Sequence, residues 1–104
     1  MFYAFRQNNS GGEWSDDLSS GIARYVIIEA NSAAHANERA KEIGLYFDGC
    51  RYGQDCRCCG DRWGRTYNSN ATEQPALYGE TVEEKEGNDI AVHYLDGTFK
   101  LFGL

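Results

Sequence analysis

The sequence has no cysteine before position 50 or after position 59. That gap excludes the dispersed covalent staples of small extracellular domains. Proline occurs once, and no apolar run approaches the roughly 18 residues of a membrane span. No basic start followed by an apolar stretch opens the chain, so neither a secretory leader nor a membrane role is expected. Positive charge is scarce, with 10 lysines and arginines against 16 aspartates and glutamates, for a formal net charge of −6. A field of that sign does not draw phosphate backbones to the protein as a whole. Catalytic patterns are missing too: there is no serine–histidine–acid order and no spaced carboxylate pair. Asn8–Gly12 lacks the lysine and helix of a phosphate loop. A non-enzymatic cytosolic binding protein is the class this leaves.

What is present is an ordinary globular composition, 41% hydrophobic and 25% charged. At 104 residues the chain is read as one domain, 1–104, able to bury a single core without a metal. Phe2–Gln7 reads as an aromatic strand, and residues 8–21 as a long loop. Ala23–Glu29, with Tyr25, Val26, Ile27 and Ile28 consecutive, predicts a central strand covered on both faces. Asn31-Ser32 caps a helix whose Ala33, Ala36, Ala40 and Ile43 repeat at spacings of three and four, and Gly44 ends it. Ala76–Val82 is a further strand candidate. Ile90–Leu95 and Thr98–Phe102 flank Asp96-Gly97, the signature of a two-residue hairpin turn. That register sets Tyr94 opposite Phe99 and Val92 opposite Leu101. It puts Ile90, Val92, Tyr94, Phe99 and Leu101 on the buried face and His93 on the outer one.

The predicted class is α+β: an antiparallel or mixed sheet of about four or five strands, one main helix (32–43) and a metal-binding loop (48–63). In that loop Cys56-Arg57-Cys58-Cys59-Gly60 contains a C-x-x-C-G turn, which aims two thiolates at one cation and uses glycine for its left-handed residue. Structural Zn²⁺ wants four ligands, so Cys50, Cys56, Cys58 and Cys59 are the expected set, with Asp48, Asp55 or Asp61 as the substitute for an awkwardly placed Cys58. Disulfides and free thiols are the competing readings. His35 and His93 are read as surface residues. No His-x-Glu precedes the cluster, so the site is structural rather than catalytic.

Arginines gather at the same place. Arg51, Arg57, Arg62 and Arg65, with Tyr52, Trp63 and Tyr67, form a basic, aromatic island on an acidic chain. Guanidinium forks suit phosphate and carboxylate, and aromatic faces suit a base. Arg57, Arg62, Trp63 and Arg65 are therefore the expected ligand- or partner-binding residues, unless the arginines only offset thiolates and the neighbouring aspartates.

Phe2-Tyr3-Ala4-Phe5-Arg6-Gln7-Asn8-Asn9-Ser10-Gly11-Gly12, and Ile43–Gly49 leading into Asp55-Cys56-Arg57-Cys58-Cys59-Gly60-Asp61-Arg62-Trp63, resemble small uncharacterised proteins of tailed bacteriophages. The resemblance covers about two-thirds of the chain, and Cys-x-Cys-Cys-Gly-Asp-Arg-Trp is its specific part. It implies a phage accessory protein in the cytoplasm of an infected bacterium, of the general character of inhibitors of host defence. The expected partner is a host protein or a small anionic or nucleotide ligand. Nucleic-acid binding or mimicry, and a zinc- or thiol-dependent enzyme, are the alternatives.

Overall fold

Six strands and one helix account for the regular structure of the computed structural model, which describes residues 1–104. They are β1 (Phe2–Arg6), β2 (Tyr25–Glu29), α1 (Ala33–Ile43), β3 (Ala76–Leu77), β4 (Glu80–Thr81), β5 (Ile90–His93) and β6 (Phe99–Phe102). The main sheet runs β1-β2-β5-β6, and β3 pairs with β4 in a separate hairpin. β2 is antiparallel to β1 and parallel to β5, and β5 is antiparallel to β6. The α+β class and the mixed sheet are as expected, and the radius of gyration is 13.0 Å.

The four-residue apolar run explains the position of β2. Val26 and Ile28 face α1 and pack with Tyr3, Phe5, Ala36, Ala40, Leu45, Phe47 and Trp63. Ile27 faces the other way, onto Leu77, Ile90, Val92 and Phe102, beneath the β3–β4 hairpin. Fully buried side chains of this size each contribute about 1.5–3 kcal/mol. Alanine on the inner face of α1 lets its backbone lie close to the sheet: Ala36 and Ala40 are fully buried. The Ser32 side chain accepts from the His35 amide, and the amides of Gly44 and Leu45 return to the last-turn carbonyls. Arg39 pins the helix down by donating to the carbonyls of Glu29 and Tyr94.

The C-terminal hairpin departs from expectation by one residue. His93 opposes Phe99 and Val92 opposes Lys100. Tyr94 N–H donates to Thr98 O at 2.8 Å and Gly97 N–H to Tyr94 O at 3.0 Å, so the loop has three residues, Leu95–Gly97, rather than two. Gly97 takes the left-handed residue such a loop needs, at φ 92°. A one-residue slip exchanges the faces of β6. Phe102 therefore joins Ile90 and Val92, while Phe99 lies against His93 at 5.1 Å between ring centroids. His93 is buried, not outward, and its Nε2 lies 2.7 Å from Gly21 O. A carbonyl only accepts, so Nε2 carries the proton. Burial holds the His93 pKa below its ordinary value, against the pull of that bond.

Ala76–Val82 forms a hairpin of two-residue strands instead of one strand. Its turn residues, Tyr78 and Gly79, both have left-handed φ, 53° and 82°. An aromatic residue there costs on the order of 1 kcal/mol relative to glycine or asparagine.

Candidate functional site

The cysteine segment leaves the core at Phe47 and returns to it at Trp63, both buried. Asp48 starts the excursion with φ 59°, a conformation aspartate tolerates better than most residues. Gly49 follows because a Cβ there would collide with the Asp55 carboxylate and the Tyr46 ring. Gln54 and Asp55 both donate their amides to Gly49 O, at 2.8 and 3.0 Å. The second turn closes with the amides of Cys59 and Gly60 on Cys56 O, at 3.2 and 3.1 Å, and Gly60 takes φ 90°. The expected C-x-x-C-G turn is thus present.

Asp55 and Arg62 brace the two turns from inside. The Asp55 side chain has no exposed surface, and that of Arg62 is 12% exposed. Asp55 accepts from the Tyr46 hydroxyl at 2.7 Å and from the Arg62 amide at 2.8 Å, and lies 3.7 Å from Arg62 Nε. The remaining Arg62 donors go to the Tyr46 hydroxyl, Gln7 Oε1, Glu13 O and Ser10 O. Every one of these partners is internal. Burial, reinforced by the Asp55 hydrogen bond, raises the Tyr46 pKa. The N-terminal loop completes the bracing: Cys56 N–H donates to Ser10 Oγ at 3.0 Å and Asn8 Nδ2 to Cys59 O at 2.7 Å.

The four cysteines share one loop without forming one cluster. The Cys56 thiol lies beside Cys59 and Cys58. These contacts, the Cys59 thiol first, depress the Cys56 pKa, while the Cys58 thiol is pushed up by its neighbour Cys56. Cys50 is turned away: its thiol donates to Cys56 O at 3.3 Å, and burial, followed by the Asp61 hydrogen bond, raises its pKa. No three cysteine, histidine, aspartate or glutamate side chains are grouped so as to hold a metal ion. Nor do the aspartates stand ready as ligands. Asp48 pairs with Arg65 at 2.9 Å, Asp55 is enclosed, and Asp61 accepts the Cys50 amide at 2.9 Å. His35 lies on α1, where its Nδ1 accepts the Asn31 amide, and His93 lies under Gly21, so neither is near the loop.

Of the four residues expected to meet a ligand, two are internal. Trp63 is 2% exposed and belongs to the α1-side core, and Arg62 spends four of its five side-chain donors on the bonds above. Arg57 and Arg65 are exposed; Arg65 stacks over Phe47 at 5.1 Å and is held protonated by Asp48. Arg51, stacked on the exposed Tyr52 at 5.6 Å, is a third outward guanidinium on the same loop. The bracing by Gln7, Ser10 and Asn8 was not read from sequence. Its only signal was the polar, glycine-containing composition of residues 8–12, which marks a turn without saying what packs there.

One family model matches the chain over residues 1–104. The chain belongs to the DUF7296 family. That family is described as a domain of unknown function, and no curated protein and no solved structure matches the chain. In this DUF7296 domain no helix is long and apolar enough to cross a membrane.

Proposed function

We propose that this protein is a non-enzymatic accessory protein of a tailed bacteriophage. In this reading it acts in the cytoplasm of the infected host and binds the acidic face of a host protein, or a small anionic ligand, through the cysteine–arginine loop. Countering a host defence is the purpose that fits. The observation that carries the reading is the contrast within the loop. Asp55, Arg62 and Tyr46 are consumed internally, while Arg51, Arg57 and Arg65 are presented outward on the frame they build, in a chain of net charge −6. Guanidinium forks favour carboxylate or phosphate partners, and the stacking of Arg51 on Tyr52 and of Arg65 on Phe47 reduces the side-chain order those two lose on binding.

Structural zinc belongs to the same proposal. Because these side chains are not grouped as ligands in this structure, Cys56, Cys58 and Cys59 would have to converge as thiolates and Cys50 would have to leave the Cys56 carbonyl to complete the shell. Bound there, the ion would supply cross-linking of the loop and no reaction chemistry. Elemental analysis of purified protein, with Cys56→Ser as the control, tests it: one zinc per chain, lost in the variant, is expected, and metal-free wild-type protein refutes this part. For binding, Arg51→Glu and Arg57→Glu together should abolish capture of a host partner and its salt dependence, with the urea midpoint unchanged. Capture that survives both reversals refutes the surface.

A further inference from the structure

A second cationic surface is assembled from segments far apart in sequence. Arg6, at the end of β1, lies directly across from Tyr25 of β2, and Arg24 immediately precedes that tyrosine. Each arginine covers one exposed aromatic ring. Arg6 sits 4.4 Å above Tyr78, and Arg24 sits 4.5 Å above Trp14. Tyr78 in turn meets Tyr25 edge-on at 6.2 Å. The result is two guanidiniums flanking one tyrosine and framed by two rings.

Three observations separate this patch from ordinary surface decoration. First, neither Arg6 nor Arg24 has a carboxylate within 4.0 Å, and neither side chain donates a hydrogen bond within the protein, unlike Arg39, Arg62 and Arg65. Two forks of five donors each are left to water in a chain with an excess of carboxylates. Second, a hollow of about 140 Å³ opens beside Arg6, lined also by Ala4, Asn70, Thr72, Ala76 and Tyr78. It is well below the roughly 300 Å³ of sites that enclose a drug-sized ligand, so it takes one group of a ligand and leaves the rest on the surface. The Asn70 amide, engaged only by a 3.5 Å contact to Thr66 Oγ1, is a further donor at its wall. Third, Tyr78 holds its ring there from a left-handed turn position, where asparagine or glycine is the unstrained choice.

We propose that Arg6, Arg24, Trp14, Tyr25 and Tyr78 form a binding site for a nucleoside phosphate. The phosphate lies on the guanidinium forks and the adjoining hollow, and the base stacks on the free face of Tyr78 or Trp14. Charge-assisted, bidentate contact suits the phosphate, and an aromatic face suits any base. A single nucleotide fits a chain of this net charge better than a polyanion does, since only the local field is positive. The site uses none of the cysteine-loop residues.

The test is a titration of the full chain with uridine 5′-monophosphate, followed by tryptophan emission. Trp63 is buried and Trp14 is 43% exposed, so a ligand-dependent change reports Trp14. Saturable quenching is expected, with inorganic phosphate and uridine each binding at least about tenfold more weakly than the nucleotide. Arg6→Gln and Arg24→Gln, which break no internal bond, should each weaken binding at least about tenfold. Tyr78→Asn removes the ring while suiting the turn, and should weaken binding at least about fivefold without lowering the urea midpoint. Lys41→Gln, on α1 and outside both cationic surfaces, should leave nucleotide binding unchanged. The proposal is overturned by any of four results: no saturation at millimolar nucleotide, phosphate or uridine binding as tightly as the nucleotide, unchanged affinity in the arginine or tyrosine variants, or loss of affinity in Lys41→Gln.

Discussion

Replacing Asp55 with alanine probes the frame on which the cysteine loop rests. The carboxylate is fully enclosed and serves two donors, the Tyr46 hydroxyl at 2.7 Å and the Arg62 amide at 2.8 Å, and it is the counter-charge of the Arg62 guanidinium 3.7 Å away. Truncation leaves both donors without that acceptor and leaves a guanidinium only 12% exposed without its counter-charge. Breaking a buried pair by removing one partner costs about 3–5 kcal/mol. Arg62 keeps Gln7 Oε1 and the carbonyls of Ser10 and Glu13, so the lower end of that range applies, about 3 kcal/mol. Each kcal/mol moves the melting temperature of a domain near this size by roughly 4–8 °C, so a fall of at least about 12 °C is expected. Urea unfolding followed by fluorescence of the buried Trp63 should show the same loss as a lower midpoint at unchanged slope. Asp55→Asn keeps the volume and one acceptor oxygen and should lose about half as much, roughly 1.5 kcal/mol. A shift below about 4 °C for Asp55→Ala would refute the claim that this carboxylate organises the loop.

Two further outcomes follow from the titrating groups. Burial depresses the pKa of His93, so the unfolded chain takes up a proton near pH 6.5 that the folded ring does not. Stability should therefore be undiminished above that pH and should decline as pH falls through it. The decline should be absent from the wild-type-minus-His93→Gln difference only if the histidine is not its source, in which case the assignment is wrong. Brief alkylation at neutral pH should modify Cys56 before Cys50, because contacts with Cys59 and Cys58 favour the Cys56 thiolate while burial and Asp61 disfavour that of Cys50. Mass spectrometry showing equal modification of the two would contradict this.

The sequence carried the fold where local pattern and tertiary demand coincide. Val26-Ile27-Ile28 is apolar on both faces because β2 is covered on both, and the alanine spacing of α1 marks the face that touches the sheet. It misled where one residue of loop length decides. Asp96-Gly97 satisfies a two-residue turn, but the Tyr94–Thr98 hydrogen bond encloses three residues, which reversed β6 and hid the burial of His93. At the loop the C-x-x-C-G turn and outward Arg57 and Arg65 were legible, because a turn is local. The enclosure of Arg62 and Trp63 was not, because it depends on Gln7, Ser10 and Glu13 returning to meet them. The patch of Arg6, Trp14, Arg24 and Tyr78 has no sequence signature at all, since its members come from the β1–β2 pair, the loop between those strands and the β3–β4 turn.

The parallel pairing of β2 with β5 has a consequence for how the molecule is made. Everything between those strands, residues 30–89, is a single crossover that must be threaded before the two neighbours at the sheet centre can zip. During synthesis the inner edge of β2 stays open until β5 has left the ribosome, and contacts this distant in sequence form slowly. The β5–β6 hairpin thus acts as a latch: deleting β6 would bare an apolar strand and offer a template for self-association.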